Sequence, residues 1–426
     1  MKILLYGINF APELTGIGKY TGEMAAWLAA AGHDVRVVTA PPYYPDWRVR
    51  PDYNGPQHMH KLWQGMRVWR APLWVPNKPS GLTRLMHLAS FALGSFPLML
   101  RQLVWRPDVV WVVEPPLFCS PTALLVARLC GARAWLHVQD YEVDAAFALG
   151  LLKGERARNL ASALERWLMR RFDRVSTISE SMMVLARSKG VKPDKLVLFP
   201  NWINLDAIQP LMAPSSYRAE LGILVDAVVA LYSGNMGGKQ GLEIMGQAAR
   251  HLANEPNLHF VFCGNGAGKA DLLVMAKGLP QVHFLDLQPM ERFNELLGLA
   301  DIHLLPQRAD AADLVMPSKL TGMLASGRAV AATAHPDTEL GKAVEGCGLL
   351  SPPGDAIAFA TAIRSLARDP VRRAAFGLAG RRYAESCLGM EPILQRFAGD
   401  LQLLSGAEMM AVVDMEKVVD VVKKRA

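Results

Sequence analysis
A strand-like apolar run, a glycine turn and a helix-like stretch follow one another twice in this chain. Near the start, Lys2 to Tyr6 leads into Thr15-Gly16-Ile17-Gly18 and then into Tyr20 to Ala31. Past the middle, Val228 to Tyr232 leads into Ser233-Gly234-Asn235-Met236-Gly237-Gly238-Lys239-Gln240-Gly241 and then into Leu242 to Leu252. A helix N-terminus presents unpaired N–H groups and partial positive charge, and glycine lets a ligand approach the backbone. Each turn is therefore a candidate anion cradle, one at Gly16 and Gly18, the other at Gly237, Gly238 and Lys239. The duplication predicts an α/β protein of two Rossmann-like domains facing one cleft.

Composition is consistent with that plan. A chain of 426 residues is too long for one ordinary core. Its 51% apolar and 20% charged residues exclude the disordered class. The five cysteines (Cys119, Cys130, Cys263, Cys347, Cys387) form no CxxC pair, which argues against a zinc site or a disulfide framework and fits a reducing compartment. No basic and apolar leader precedes the first strand, so the expected location is the cytoplasm. Residues 1–200 hold 25 of the 46 Lys and Arg but only 15 of the 39 Asp and Glu. No recognition helix, zinc finger or RNA-binding signature accompanies this basic half, so an anionic membrane or a phosphate-bearing substrate fits better than nucleic acid.

Further strand-like runs lie at Val35 to Thr39, Val109 to Val113, Ala134 to Val138, Val175 to Ile178 and Lys195 to Phe199. Helical patterns at Ala157 to Phe172 and Ser181 to Lys189 alternate with them. The alternation resumes at His259 to Phe262, Val282 to Leu285, Ile302 to Leu305 and Ala329 to Ala332. Strands alternating with helices predict parallel sheets covered on both faces. The aperiodic Pro200 to Ser216 is the expected linker.

Two further motifs point toward the cleft. Cys263-Gly264-Asn265-Gly266-Ala267-Gly268-Lys269 lacks the first glycine and the final Ser or Thr of a P-loop, so Gly264 and Gly266 are expected in a tight strand-to-helix turn beside the cleft. In Val315 to Val330, Pro317 suits a first helical turn, which brings Ser318 and Lys319 to the helix start. A lysine there opposes the macrodipole, so it calls for an anionic partner; the plain structural alternative is an ordinary capped helix.

These motifs, with "GHDVRVVT" at Gly32 to Thr39, "LHVQDYEVDAAFALG" at Leu136 to Gly150, "ISESM" at Ile178 to Met182, "PNWIN" at Pro200 to Asn204 and "PSKLTGMLASGRAV" from Pro317, resemble the GT-B glycosyltransferases of family 4 over nearly the whole chain. The "PSKL" form and the opening "YGINFAPELTGIGKYTGEMA" are most similar to transferases of exopolysaccharide (colanic acid) assembly. The resemblance implies an acceptor-binding domain at 1–200, a nucleotide-sugar-binding domain at 201–385, and returning helices and a tail at 386–426. It also implies a retaining transferase that moves a sugar, with fucose from GDP-fucose as the expected donor, to a lipid-linked saccharide acceptor.

The chain departs from the family pattern at the chemistry. Positions that hold two glutamates in many members fall on Leu314 and Gly322, and the usual arginine and lysine of the diphosphate loop fall on Asn235 and Gln240. Lys239, Arg308 and Lys319 are left to supply positive charge, with Ser318 and the amides near Gly237 and Gly238 beside them. The frequent His-Asp pair reads Gln139-Asp140, so Asp140 is expected to orient acceptor or sugar. His137 remains an acid/base candidate beside the plainer reading of a satisfied strand histidine. No DxD triplet occurs, and neither a metal nor another cofactor is expected. A GT-B sugar-nucleotide epimerase and a noncatalytic sugar-nucleotide-binding subunit stay open as alternatives.

The uncharged Leu85 to Leu100 is shorter than the roughly 20 residues a spanning helix needs. From Pro41 to Trp105, eight Lys and Arg face only Asp46 and Asp52, with Trp47, Trp63, Trp69, Trp74 and Trp105 interleaved. This predicts a surface, including Arg67, Arg70, Lys78 and Arg84, that docks peripherally on anionic lipid at the cytoplasmic side. The plain alternative is a buried helix beside a basic loop.

Overall fold
A computed structural model describes residues 1–13, 16–53, 55, 60–77, 81–148, 154–237, 241–266, 268–308 and 318–405. The first half builds β1 (Lys2–Tyr6), β2 (Asp34–Thr39), β3 (His60–Trp63), β4 (Met66–Arg70), β5 (Val109–Glu114), β6 (Arg133–Val138), β7 (Arg174–Thr177) and β8 (Leu196–Leu198). They form one sheet in the order β3-β4-β2-β1-β5-β6-β7-β8, parallel except for the β3–β4 pair. The second half builds β9 (Val228–Ser233), β10 (Leu258–Cys263), β11 (Val282–Leu285), β12 (Ile302–Leu305), β13 (Ala329–Thr333) and β14 (Gly348–Ser351). Their order is β11-β10-β9-β12-β13-β14, all parallel. Helices cover both faces of the central strands, which is why β5 is buried along its whole length and reads as a continuous apolar run.

Strands β3, β4 and β14 lie outside the runs read from the sequence. Gln64 and Gly65, both at positive φ, turn β3 into β4 as a two-residue hairpin. Charged residues within this hairpin hid its strand character. The hairpin also corrects part of the expected lipid surface. Arg70 is buried and donates to the carbonyls of Ala40 (2.7 Å) and Ala11 (2.6 Å). Trp69 and Trp105 are buried too, with the Arg36 guanidinium 5.5 and 4.2 Å from their rings. The Arg36 guanidinium and these two indole rings pack on one another inside the domain, whereas Arg48, Arg50, Lys61 and Arg67 stay exposed and Lys78 lies outside the described residues. The uncharged run belongs to the helix Gly81–Arg101, which buries Leu88, Phe91 and Met99. Among the described residues no helix is long and apolar enough to cross a membrane. Gly16 and Gly18 stand inside the helix Gly16–Ala30, not in the loop before it.

The helices Gly81–Arg101, Ser120–Cys130 and Glu180–Ser188 pack on one face of the first sheet. Gly16–Ala30 and the returning Met390–Ser405 pack on the other. The chain passes between its halves at two adjacent points, where Ile203 N donates to Leu388 O (2.8 Å) and Met390 N to Ile203 O (3.1 Å). Beyond that crossing, Phe397 stacks on Phe199 at 4.4 Å and meets the edge of Trp135 at 5.1 Å. A fully packed phenylalanine on a distant segment is costly to truncate. Phe397→Ala is expected to cost about 3–5 kcal/mol, read as a lower denaturant midpoint of the first domain; a change below about 1 kcal/mol would mean that the returning helix contributes little to that core.

Candidate active site
Right-handed crossovers make chain connections diverge at one place in each sheet, and a crevice opens there at the carboxyl ends of the strands. In the first sheet this place lies between β1 and β5, and in the second between β9 and β12. A cleft of about 270 Å³ lies at the first switch point. Asn9 follows β1, Pro115 follows β5, and Gln139 with Asp140 follow β6, so strand ends supply one wall. Gly16, Tyr44, Trp47 and Arg84 add a second wall, and Ser318 of the other domain reaches the same cleft.

Glu13 organises the first-domain side. It is buried and accepts hydrogen bonds from Asn9 Nδ2 (2.9 Å), Tyr44 N (3.1 Å) and Tyr43 N (3.2 Å). It thereby joins the loop after β1 to the loop after β2. Burial raises its pKa, against the pull of those hydrogen bonds and the charge of Arg70. A Cβ on Gly18 would come within 2.6 Å of Glu13 Oε2. Gly18 therefore makes room for this carboxylate and not for a ligand, whereas Gly16, at φ +60 and with open space before it, borders the cleft. Glu13 carries no recognisable motif, and sequence reading missed it.

His137 is displaced from the role of acid or base. It is buried in β6 behind Gln139, whose Nε2 donates to His137 Nε2 (2.9 Å) and to Asn201 Oδ1 (3.0 Å). The other ring nitrogen then donates to Ser176 Oγ at 2.8 Å. Burial pushes the His137 pKa down to about 3, so the ring stays neutral and orients Gln139. Asp140 does reach the cleft. Beneath it lie Glu114, fully buried, and Glu142, whose carboxylate accepts from Leu117 N (2.9 Å). Burial, reinforced by neighbouring carboxylates, holds Glu114 well above the usual range and Glu142 up at about 7. Lys189 pairs with Asp144 (2.6 Å) and with Glu165 under the same region.

Lys319 opens the helix Lys319–Ala325 of the second domain. Its Nζ contacts the Tyr232 hydroxyl, donates to Asn235 O (3.2 Å) and lies 4.2 Å from the Tyr232 ring centre. Among the described residues no carboxylate pairs with it. Burial pulls its pKa down to about 7. A Cβ on Gly234 would fall 2.5 Å from Lys319 Cε, so that glycine makes space for the lysine. Gly264 has no room for a Cβ against Gly234 O, and Gly266 only 2.5 Å to Met236 O. These two glycines let the loops after β9 and β10 pack together, bonded through Met236 N to Asn265 O (2.9 Å). Arg308, at the end of β12, borders Gly241. Gly237 belongs to the loop after β9, whereas Gly238 and Lys239 lie outside the described residues, as do Leu314 and Pro317. Gly322 is buried, and a Cβ there would lie 3.2 Å from Leu297 Cδ1, so a side chain at that position would press on Leu297.

Direct contacts hold the two halves around this space. The Tyr20 hydroxyl faces Thr321, and the Tyr44 hydroxyl faces Asn235 of the loop after β9. Glu339 of the second domain accepts from Glu180 N (3.1 Å) and Ser181 N (3.2 Å). A carboxylate at the first turn of the helix Glu180–Ser188 satisfies orphan donors and complements the dipole across the domain boundary.

Two facing Rossmann-like domains with a returning C-terminal helix define a GT-B glycosyltransferase. The family model of a glycosyl transferase 4-like domain matches residues 15–202, and that of glycosyl transferases group 1 matches residues 227–369. A protein of Escherichia coli strain K12 named as the colanic acid biosynthesis glycosyl transferase WcaI is 45% identical over 413 residues, spanning 94% of this chain and 100% of that protein. The chain belongs to this glycosyltransferase family. Sucrose-phosphate synthase from Thermosynechococcus elongatus has the same fold at TM-score 0.76 and 19% identity, covering 96% of this chain and 100% of that one. Anabaena HepE, solved with UDP and glucose, superposes at TM-score 0.67 and 16% identity, over 94% of this chain and 99% of its own.

The low pKa makes Lys319 an unusually reactive amine. Competitive labelling with an acylating reagent, followed by peptide mass spectrometry across pH, is expected to give a titration midpoint of about 7 for Lys319 and about 10.4 for an exposed lysine. A midpoint shared with surface lysines would mean that the buried geometry does not persist in solution.

Proposed function
We propose that this glycosyltransferase moves fucose from GDP-fucose to a lipid-linked saccharide during exopolysaccharide assembly of the colanic acid type, with retention at the anomeric carbon. The observation that carries the donor side is Lys319, a cation at the second switch point without a carboxylate partner among the described residues. Burying a cation is costly unless an anion joins it, so the site favours a diphosphate. Ser318 and Arg308, with the amides around Gly237, complete the donor side. The relative named for colanic acid biosynthesis supports a place in exopolysaccharide assembly, and fucose and the lipid-linked acceptor are what the sequence resemblance implies.

In the transfer, the bond from the anomeric carbon to the diphosphate oxygen breaks and its electron pair leaves with the diphosphate. The acceptor oxygen bonds to that carbon on the same face, and its proton passes to the departing phosphate oxygen. Positive charge and N–H donors around the leaving group lower the barrier, so missing carboxylates at 314 and 322 do not prevent the reaction. Asp140 receives hydroxyl hydrogen bonds and orients the sugar or acceptor. No step calls for a metal. A lipid-linked acceptor also implies work at the cytoplasmic face of an anionic membrane.

Two measurements test the reaction and the donor. Incubation with labelled GDP-fucose and a lipid-linked acceptor is expected to give label in the lipid; label recovered as an altered free nucleotide sugar would indicate an epimerase, and label bound without turnover a noncatalytic subunit. In a thermal-shift panel GDP and GDP-sugars should raise Tm more than UDP or ADP sugars.

Lys319 links donor binding to pH. Its pKa is about 7 when free and rises when the diphosphate pairs with it, so affinity is fully present below that value and falls as pH climbs through and above it. Calorimetry of GDP at about pH 8 in buffers of different ionisation enthalpy should show proton uptake. Lys319→Ala should abolish that uptake and weaken binding by about 1.5–3 kcal/mol; unchanged affinity would remove Lys319 from the donor site.

Asp140→Asn should lower the transfer rate by about 100-fold or more while Tm stays near that of the parent. Parallel losses of rate and Tm would make Asp140 a structural residue.

A further inference from the structure
Exposed large apolar side chains are unevenly distributed over the first domain. The helix Gly81–Arg101 exposes Leu82, Met86, Leu93 (76%) and Phe96, spaced so that they fall on one stripe opposite its buried Leu88, Phe91 and Met99. Ser120–Cys130 exposes Leu125 and Leu129. Glu155–Met169 exposes Leu160 (73%), Leu164 and Trp167 (51%), again one helical stripe. The connections β4 to β5, β5 to β6 and β6 to β7 all advance in the same direction across the sheet, so right-handed crossovers put these three helices side by side on one face. On the opposite face the helix Gly16–Ala30 exposes no large apolar residue, and Met390–Ser405 exposes only Leu403.

Charge on these three helices is as one-sided as their apolar residues. Arg101, Arg128, Arg156, Arg158 and Arg166 are exposed, and Glu155 is the only exposed acid, because Glu165 is buried. Arg171 follows the third helix and lays its guanidinium 3.5 Å from the Trp167 ring centre. An apolar stripe with an interfacial tryptophan, fringed by arginines, matches the boundary between headgroups and acyl chains. The helix Gly81–Arg101 also reaches the cleft, since Arg84, His87 and Leu88 on its inward side line it.

We infer that this face, formed by Gly81–Arg101, Ser120–Cys130 and Glu155–Met169, is the surface that seats the enzyme on an anionic bilayer and brings the cleft beside the embedded acceptor. The inference rests on the lipid-linked acceptor proposed above, and it shifts the surface from the basic and aromatic segment at 41–105, in which Arg70, Trp69 and Trp105 are buried, to three helices of which only Gly81–Arg101 belongs to that segment. The occupant is a bilayer, because a cationic fringe of this extent complements anionic headgroups.

Flotation with phosphatidylglycerol-containing vesicles and with phosphatidylcholine vesicles tests it in the intact chain. The parent protein is expected to float with the first and not the second. The triple substitution Leu160→Glu, Leu164→Glu and Trp167→Glu is expected to abolish flotation, as is Leu93→Glu with Phe96→Glu, while both variants keep the parent Tm and its turnover on detergent-dispersed acceptor. Arg156→Gln, Arg158→Gln and Arg166→Gln together should weaken flotation and its salt sensitivity without changing Tm. Flotation unchanged in the glutamate variants overturns this surface but leaves the lipid-linked acceptor standing. No flotation of the parent, with full turnover on dispersed acceptor, overturns the membrane seat alone. An oligomer of the parent that the glutamate variants dissociate overturns it in favour of a protein interface.

Discussion
A transferase of this kind depends on two crevices meeting, and the handedness of the βαβ crossover decides where each crevice opens. Once β1 is flanked by β2 and β5, and β9 by β10 and β12, the carboxyl ends of those strands are the available sites. Neither crevice alone encloses a reaction. The returning helix brings them together: the chain leaves the first domain beside Ile203, re-enters beside Met390, and anchors through Phe397 on Phe199 and Trp135. Glu339 adds a polar contact at the other side by capping a first-domain helix. Large aromatic burial supplies the strength of this attachment, and the cap supplies its orientation.

Charge is divided across the cleft. The second domain offers Lys319, held near neutrality by burial and supported by the Tyr232 ring. The first domain offers Asp140 above a group of buried carboxyls, of which Glu114 and Glu142 are shifted toward the protonated form. Protonation of those groups limits the negative charge behind Asp140. In the proposed donor site, a diphosphate would meet its cation on one side without strong repulsion from the other. The neutral His137 fits the same arrangement, acting through Gln139 and Asn201 and not by exchanging protons.

The glycines illustrate how one residue type serves different ends. Gly16 borders open space, Gly18 makes room for Glu13, Gly234 makes room for Lys319, and Gly264 and Gly266 allow two loops to touch. A glycine-rich turn marks tight packing as readily as it marks a phosphate cradle, and only the neighbour that a Cβ would strike tells the two apart.

Local pattern alone determined most of the central strands, because a strand buried on both faces must be apolar throughout and such runs are visible in the chain. It also determined the pair of strand-to-helix units and the prominence of Lys319, since a lysine in a first helical turn opposes the dipole wherever the helix lies. Strands β3 and β4 were hidden because their charged and aromatic residues find partners only in the folded domain, as Trp69 of β4 does against Arg36 of β2. Tertiary structure decided that His137 stands behind the cleft, that Glu13 ties two loops beside it, and that Arg70 turns inward. These are relations between residues far apart in the chain, and burial and hydrogen bonding across such distances exist only once the sheets have assembled.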